Sequence, residues 1–330
     1  MSTPVRIVIP DDVFHLFQGT RAFERLKGLG RVDCYDRKAS GPDELIGRLR
    51  GAEVALSTRY QTRFGADLLE ALPGLRLISI MGTRPRTVDM PKANALGITV
   101  TCIPGASSEA IAEHTWMMIL TLAKQVPYLT RGMATGHWPR KTGWELAGKT
   151  LSLLGLGNIG RKVALMGRGF GMRTLTWSRR MTPERAAEVG AEAATLDRCT
   201  READLLSLHL HVNEGTRGII SRERLAQMKP GSYLVNTARA ALVDMEALYE
   251  ALAGGHLAGA GLDVFEPAEP LPSGSPLRKL PNVILTPHSA WDTDGTQLRY
   301  TDRSVENIAR FLAGDPINVV TEYEGVPDPA

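Results

Sequence analysis

The sequence predicts an α/β protein of two doubly wound parallel-sheet domains, one inserted into the other, and three observations lead there. At 330 residues the chain exceeds what one hydrophobic core organises, about 250 to 300 residues. Strand-like β-branched runs alternate with helix-like segments in two successive stretches, the rhythm of parallel sheets. In the second stretch, Gly155-Leu156-Gly157-Asn158-Ile159-Gly160 lies between a strand-like and a helix-like segment, where its glycine spacing has physical meaning.

From residue 5 to 103 the runs VRIVIP, RVDCYD, EVALS, LRLISI and ITVTCI alternate with segments such as GPDELIGRLRG and FGADLLEALPG, a parallel α/β unit. The helical stretch SSEAIAEHTWMMILTLAKQ then interrupts the rhythm. Its Trp116, Met117, Met118 and Leu120 are expected to pack, and its apolar centre is too short to span a bilayer. Alternation resumes at KTLSLLGLGNIGRKVALMGRGFG and continues to about residue 291. The closing segment DTDGTQLRYTDRSVENIARFLAG is amphipathic and helical, with no further strands to cover, so it belongs back on the first domain. Residues 1–103 with 292–330 are thus expected to form one discontinuous domain and 104–291 the inserted one, with hinges near 103 and 291.

Composition excludes several classes of function. Apolar residues at 43% and charged residues at 23% are ordinary for a globular chain. The net charge of +3 arises from 39 basic and 36 acidic residues mixed along the sequence, so no single-sign stripe suits nucleic acid. Cys34, Cys102 and Cys199 are far apart without CxxC spacing, which argues against a zinc site or a disulfide framework. The amino terminus has no charged region followed by a long apolar one, and a cytoplasmic location is expected. His209 and His211 alternate on what reads as one strand face. Without a third ligand nearby in sequence, a structural or cofactor-lining role is expected for them, and no metal.

The glycine fingerprint points to a dinucleotide. Gly155 permits a tight turn and Gly157 lets backbone approach a pyrophosphate. Gly160 lets the helix opened by Asn158 and Ile159 pack on the strand, and the helix amino terminus favours the phosphate charge. An acidic residue about 20 residues on normally holds the ribose 2′-hydroxyl. Here the next strand, RTLTW, ends in Ser178-Arg179-Arg180. No carboxylate is there to repel a 2′-phosphate, and a guanidinium can pair with one. The cofactor is therefore expected to be NAD(P), with NADPH favoured over NADH. Ser178, Arg179, Arg180, Thr216 and Thr237 are expected to line its site.

Ligands of open parallel sheets bind beyond the carboxyl ends of the strands. Arg239 follows the strand SYLVNT, Asp263 ends AGAGLD, and His288 follows NVILTP, so all three should face one cleft. Hydride transfer to a 2-oxo acid needs a fixed cation for the carboxylate and a proton donor for the keto oxygen. Arg239 supplies a planar fork that lysine lacks, and His288 supplies the proton. A neighbouring carboxylate would orient the imidazole. Glu269 is the candidate, with Glu266 the alternative.

These residues resemble the D-isomer-specific 2-hydroxyacid dehydrogenases, which include phosphoglycerate dehydrogenases and glyoxylate/hydroxypyruvate reductases. The similarity runs over nearly the whole chain: Gly97-Ile98-Thr99-Val100, Pro104-Gly105, Ile111-Ala112-Glu113-His114, GLGNIG, Met228-Lys229-Pro230-Gly231, Asn236-Thr237-Ala238-Arg239, Gly261-Leu262-Asp263-Val264-Phe265, Glu269-Pro270 and Thr286-Pro287-His288. The resemblance implies a Rossmann-like cofactor domain inserted into a flavodoxin-like substrate domain. It also implies Arg239 as substrate anchor, His288 as acid/base, Glu269 as its partner, and Asp263 on the nicotinamide side. A homodimer through the cofactor domain is implied as well, with Trp138 reaching the partner subunit.

Three departures bear on the transfer. The glutamate falls one residue late, with Ala268 at its usual place, as a one-residue insertion would produce. The substrate loop, whose two glycine amides usually meet the substrate carboxylate, reads Gly82-Thr83-Arg84-Pro85, and Arg84 and Arg86 would suit a second acidic group. The glycine that often follows the arginine is Ala240. Two other readings share this architecture. One is a dinucleotide-sensing regulatory protein without catalysis; the other is a formate dehydrogenase, which carries glutamine as the partner of the histidine.

Overall fold

The computed structural model describes residues 4–323, which fall into two compact units, 4–106 with 293–323, and 107–292. No helix among them is long and apolar enough to cross a membrane.

The first unit begins as five β-strands with intervening helices. They are β1 (Arg6–Ile9), α1 (Arg21–Lys27), β2 (Arg31–Cys34), α2 (Pro42–Leu49), β3 (Val54–Thr58), α3 (Ala66–Glu70), β4 (Leu77–Met81), α4 (Met90–Ala95) and β5 (Thr99–Thr101). The order β2-β1-β3-β4-β5, parallel throughout, is the flavodoxin-like doubly wound arrangement. β3 and β4 are buried at every position, as expected of strands covered on both faces. Val8, Ala55, Ile78, Ile80 and Val100 pack there with Leu49, Leu69 and Ala93.

The second unit opens with α5 (Ser108–Ala123) and α6 (Val126–Ala134), separated by Gln125 at φ 57. The Gln125 amide donates to the Leu122 carbonyl and to the Tyr233 hydroxyl, at 3.1 and 2.9 Å, so the break is held by the unit's own core. There follow β6 (Thr150–Leu154), α7 (Asn158–Gly169), β7 (Arg173–Trp177), α8 (Pro183–Ala187), β8 (Glu192–Ala193), α9 (Leu196–Glu202), β9 (Leu205–Leu208), α10 (Arg222–Gln227), β10 (Tyr233–Asn236), α11 (Met245–Ala253), β11 (Gly259–Leu262) and β12 (Val283–Leu285). The parallel sheet has the order β12-β11-β10-β9-β6-β7-β8, a Rossmann order with a seventh strand at one edge. Successive residues feed opposite faces. Leu151, Leu153, Tyr233 and Val235 pack against α5, whereas Leu154, Leu206, Leu208 and Leu234 join the other core. Glycines on β11 bring α5 close, since a Cβ at Gly261 would lie 3.0 Å from the Met118 side chain. Trp116 and Met118 are buried as expected, but Met117 is 39% exposed.

One expected strand ends early. β9 stops at Leu208, so His209 and His211 do not alternate on a strand face. The His209 amide still donates to the Leu154 carbonyl at 2.8 Å. Beyond it the chain leaves the ladder because Thr216 closes a turn, donating to the His211 carbonyl at 2.6 Å and accepting from the Asn213 amide at 2.8 Å.

The chain returns to the first unit as α12 (Asp294–Leu312), capped by the Thr293 hydroxyl on the Thr296 amide. Its Tyr300, Ser304, Asn307 and Ile308 are buried, a helical stripe laid on the first sheet. Asn307, Arg299 and Arg303 donate to the carbonyls of Cys102, Ala106 and Pro104 at 2.9, 2.7 and 3.0 Å. The carboxyl-terminal helix thus ties down the strand exit that precedes the inserted unit.

Candidate active site

The fingerprint sits where β6 and β9 adjoin, the point at which the strand order reverses direction. Gly155 has φ +104, and a Cβ there would lie 2.5 Å from the His209 carbonyl oxygen. A Cβ at Gly160 would lie 2.0 Å from the Gly155 carbonyl oxygen, whereas one at Gly157 would meet nothing within 4 Å. Gly155 and Gly160 are thus required by the protein's own packing, and Gly157 leaves backbone open. No side chain caps α7 at Gly157, so Asn158, Ile159 and Gly160 open a twelve-residue helix with unshielded amides, suited to an anion. These residues fit a dinucleotide pyrophosphate.

Ser178, Arg179 and Arg180 follow β7. Arg179 and Arg180 are exposed, and the Arg179 guanidinium lies against Gly215, where a Cβ would come within 2.0 Å of it. Arg179 therefore reaches across to the turn after β9 and does not point away from the sheet end. Thr216 spends its hydroxyl on closing that turn. His209, pushed down to about 4 by burial, stays neutral near pH 7, and its Nε2 meets the Ser207 hydroxyl at 3.0 Å. Among the described residues, no cluster of three or more His, Cys, Asp or Glu could hold a metal ion.

β10, β11 and β12 lie side by side and parallel, so Arg239, Asp263 and His288 all follow neighbouring carboxyl ends. Arg239 is extended, at φ −151 and ψ 139. Its position is set by the fully buried Asn236, which accepts from the Ala238 amide and donates to the Arg239 carbonyl at 3.0 and 2.8 Å. Thr237 is buried and shares a 2.9 Å hydrogen bond with Thr115 of α5. The sequence signals Asn236 only as a polar residue ending an apolar strand.

His288 Nδ1 lies 2.6 Å from Glu269 Oε2, and Glu269 Oε1 accepts from the Phe265 amide at 3.0 Å. Glu266 instead pairs with Arg217 at 3.6 Å. Because a carboxylate only accepts, Nδ1 carries the proton and Nε2 is the nitrogen left to exchange one. Asp263, expected on the nicotinamide side, is 1% exposed. Its carboxylate accepts from the Thr286 hydroxyl at 2.5 Å and from the Ser289 and Ala290 amides at 2.9 and 3.0 Å. Those donors flank His288, so Asp263 holds the turn that carries it. His114 of α5 approaches from the other side of Thr286, Nε2 to Oγ1 at 3.0 Å. Its ionisation is lowered by desolvation, with Asp263 opposing.

In the first unit, Gly82 and Thr83 follow β4. The Tyr60 ring packs against Gly82, where a Cβ would fall 2.3 Å from it. The Tyr60 hydroxyl accepts from the Arg84 amide at 3.4 Å, and the Arg86 guanidinium stands 5.5 Å from the ring centroid. Arg59 and Tyr60, after β3, are both left-handed, at φ 46 and 64. The Arg86 guanidinium thus faces Tyr60, whereas that of Arg59 turns to Tyr300 of α12 and donates to its hydroxyl at 2.9 Å.

Comparison with known proteins agrees in kind. Residues 116–290 match the family model described as D-isomer specific 2-hydroxyacid dehydrogenase, NAD binding domain. A glyoxylate reductase of Aeropyrum pernix is 40% identical over 326 residues, covering 96% of this chain and 95% of that one. Among solved structures, a D-lactate dehydrogenase of Aquifex aeolicus complexed with NAD and lactic acid is 32% identical with a TM-score of 0.77. It covers 97% of this chain and 100% of its own. An acyclic imino acid reductase in complex with NADPH and D-Arg is 26% identical with a TM-score of 0.82, covering 96% and 100%.

Proposed function

The chain belongs to the D-isomer specific 2-hydroxyacid dehydrogenase family, and from that premise we propose that it interconverts a 2-oxo acid and its D-2-hydroxy acid with NAD(P). When bound, the nicotinamide supplies or accepts the hydride. The chain's own residues do the rest. Arg239 holds the substrate carboxylate, and His288 Nε2 gives its proton to the oxygen that becomes the hydroxyl. Glu269 keeps the ring oriented and balances the charge of the imidazolium. In the reverse direction Nε2 takes the proton back.

The observation that carries this reading is the 2.6 Å contact between His288 and Glu269, beside a strand end that bears Arg239. A glutamine is not the partner, which weighs against formate oxidation. A sensing protein that only binds dinucleotide has no need of an oriented proton donor, which weighs against the regulatory reading.

Arg179 and Arg180 support NADPH over NADH, because neither repels a 2′-phosphate and each can pair with it. Arg84 and Arg86 are the reason to test a substrate with a second acidic group. The exposed apolar residues Tyr128, Met133 and Trp138 on the second unit support a homodimer formed through that unit.

The test is the rate of NADPH and NADH oxidation against glyoxylate, hydroxypyruvate, pyruvate, an aryl 2-oxo acid and a dicarboxylic 2-oxo acid. Turnover with glyoxylate or hydroxypyruvate, and a higher kcat/KM with NADPH, is expected. A higher kcat/KM with NADH overturns the cofactor preference. Silence across the panel with cofactor still bound overturns the catalytic reading and favours the sensing protein.

A further inference from the structure

We propose that His114, on α5, is a positioning residue for His288, acting through the Thr286 hydroxyl and the Asp263 carboxylate. The inference rests on the reading of His288 as the proton donor. Proton counting gives the contacts a single direction. Asp263 is buried and already accepts two backbone amides, and an ionised carboxylate has no proton to give. Thr286 therefore spends its one proton on Asp263, at 2.5 Å. The hydroxyl can then only accept from His114, at 3.0 Å, so His114 must carry a proton on Nε2. Desolvation disfavours a second proton on the ring, which leaves His114 neutral in the Nε2–H tautomer near pH 7.

The chain of donors runs from α5 to the turn that carries His288. His114 is 17% exposed, and its neighbours Ala112, Thr115 and Trp116 are buried, so its ring is mounted on a fixed helix face. Thr286 precedes the His288 turn by two residues; Ser289 and Ala290 follow it. All three donate to Asp263. Between them His288 stands at φ 54, a left-handed conformation that a non-glycine residue keeps only when its surroundings impose it. Thr115, next to His114, hydrogen-bonds Thr237 beside the Arg239 turn. One helix therefore supports the proton donor and the carboxylate anchor together.

The test compares His114→Leu, His114→Gln and Thr286→Val with the wild type. Glutamine keeps a donor near the place of Nε2–H; leucine removes it. In His114→Leu, kcat is expected to fall about ten- to a hundred-fold, the scale of a small misplacement of a catalytic group. Cofactor Kd should not change, and the fall should exceed any rise in KM. His114→Gln should recover most of the loss. His114→Leu and Thr286→Val should not add in the double variant, since they break one path. Ring 15N spectra of 15N-histidine-labelled protein read the same link without turnover. His114 should show its proton on Nε2, and the His288 resonances should move in His114→Leu and return in His114→Gln. A wild-type kcat together with unmoved His288 resonances in His114→Leu overturns the inference, as does a proton on Nδ1 of His114. A loss of melting temperature with kcat per folded molecule unchanged also overturns it. If the wild type turns over no 2-oxo acid but the resonances move as expected, the positional link stands and the proposed reaction falls.

Discussion

His288 is held at φ 54, which costs a non-glycine residue roughly 1–3 kcal/mol, and three hydrogen bonds to Asp263 around it offset that cost. The strained residue is an imidazole that also touches a glutamate. Glu269 is bound at both oxygens, to His288 and to the Phe265 amide; Glu266 is 44% exposed in its side chain and turned to Arg217. The two glutamates should therefore respond differently to the same change. Glu269→Gln keeps an acceptor but loses the charge that stabilises the imidazolium, and kcat should fall by about 10²-fold or more with cofactor affinity unchanged. Glu266→Gln should stay near wild type, within about twofold, as expected for an exposed pair worth little. Equal losses in steady-state assays of both variants would refute the assignment. The difference was hidden in the sequence, where both glutamates precede a proline and only the loop's path decides which one meets the histidine.

At the level of elements, the junction of β6 with α7 separates packing from binding within one motif. Gly160 faces the Gly155 carbonyl so closely that any Cβ must displace backbone, while Gly157 has room for one. Gly160→Ala should lower stability by about 1–3 kcal/mol, the usual range for overpacking a tight contact, and should weaken cofactor binding as well. Gly157→Ala, at φ −81, should fold with stability within about 0.5 kcal/mol of wild type yet bind NAD(P)H more weakly. Urea unfolding and cofactor fluorescence titration separate these effects. If Gly157→Ala binds NADPH as tightly as wild type, the helix start is not where the pyrophosphate sits. α5 shows the same economy, since one face packs Trp116 and Met118 into the core while His114 and Thr115 hydrogen-bond the two strand-end segments that carry His288 and Arg239.

For the whole molecule, Trp138 is 80% exposed, Met133 53% and Tyr128 49%, three large apolar side chains on one short stretch of the second unit that a second copy of the chain would cover. Light scattering should give twice the chain mass at micromolar concentration, and Trp138→Ser with Met133→Ser should shift it towards the single-chain mass. A wild type of single-chain mass would remove the dimer from consideration. The sequence by itself determined the two parallel sheets, the glycine turn at β6 and the strand ends that carry Arg239, Asp263 and His288. Those features rest on local periodicity and on backbone conformations that only certain residues adopt. It did not determine where β9 ends, because Thr216 closes the following turn through hydrogen bonds to residues that have no strand or helix period. Nor did it determine that Asp263 buries its charge beneath the His288 turn, or that His114 stands behind Thr286. Those contacts join residues 23 to 172 positions apart, and no local pattern encodes them: the first exists only once β12 pairs beside β11, and the second only once α5 packs across that sheet.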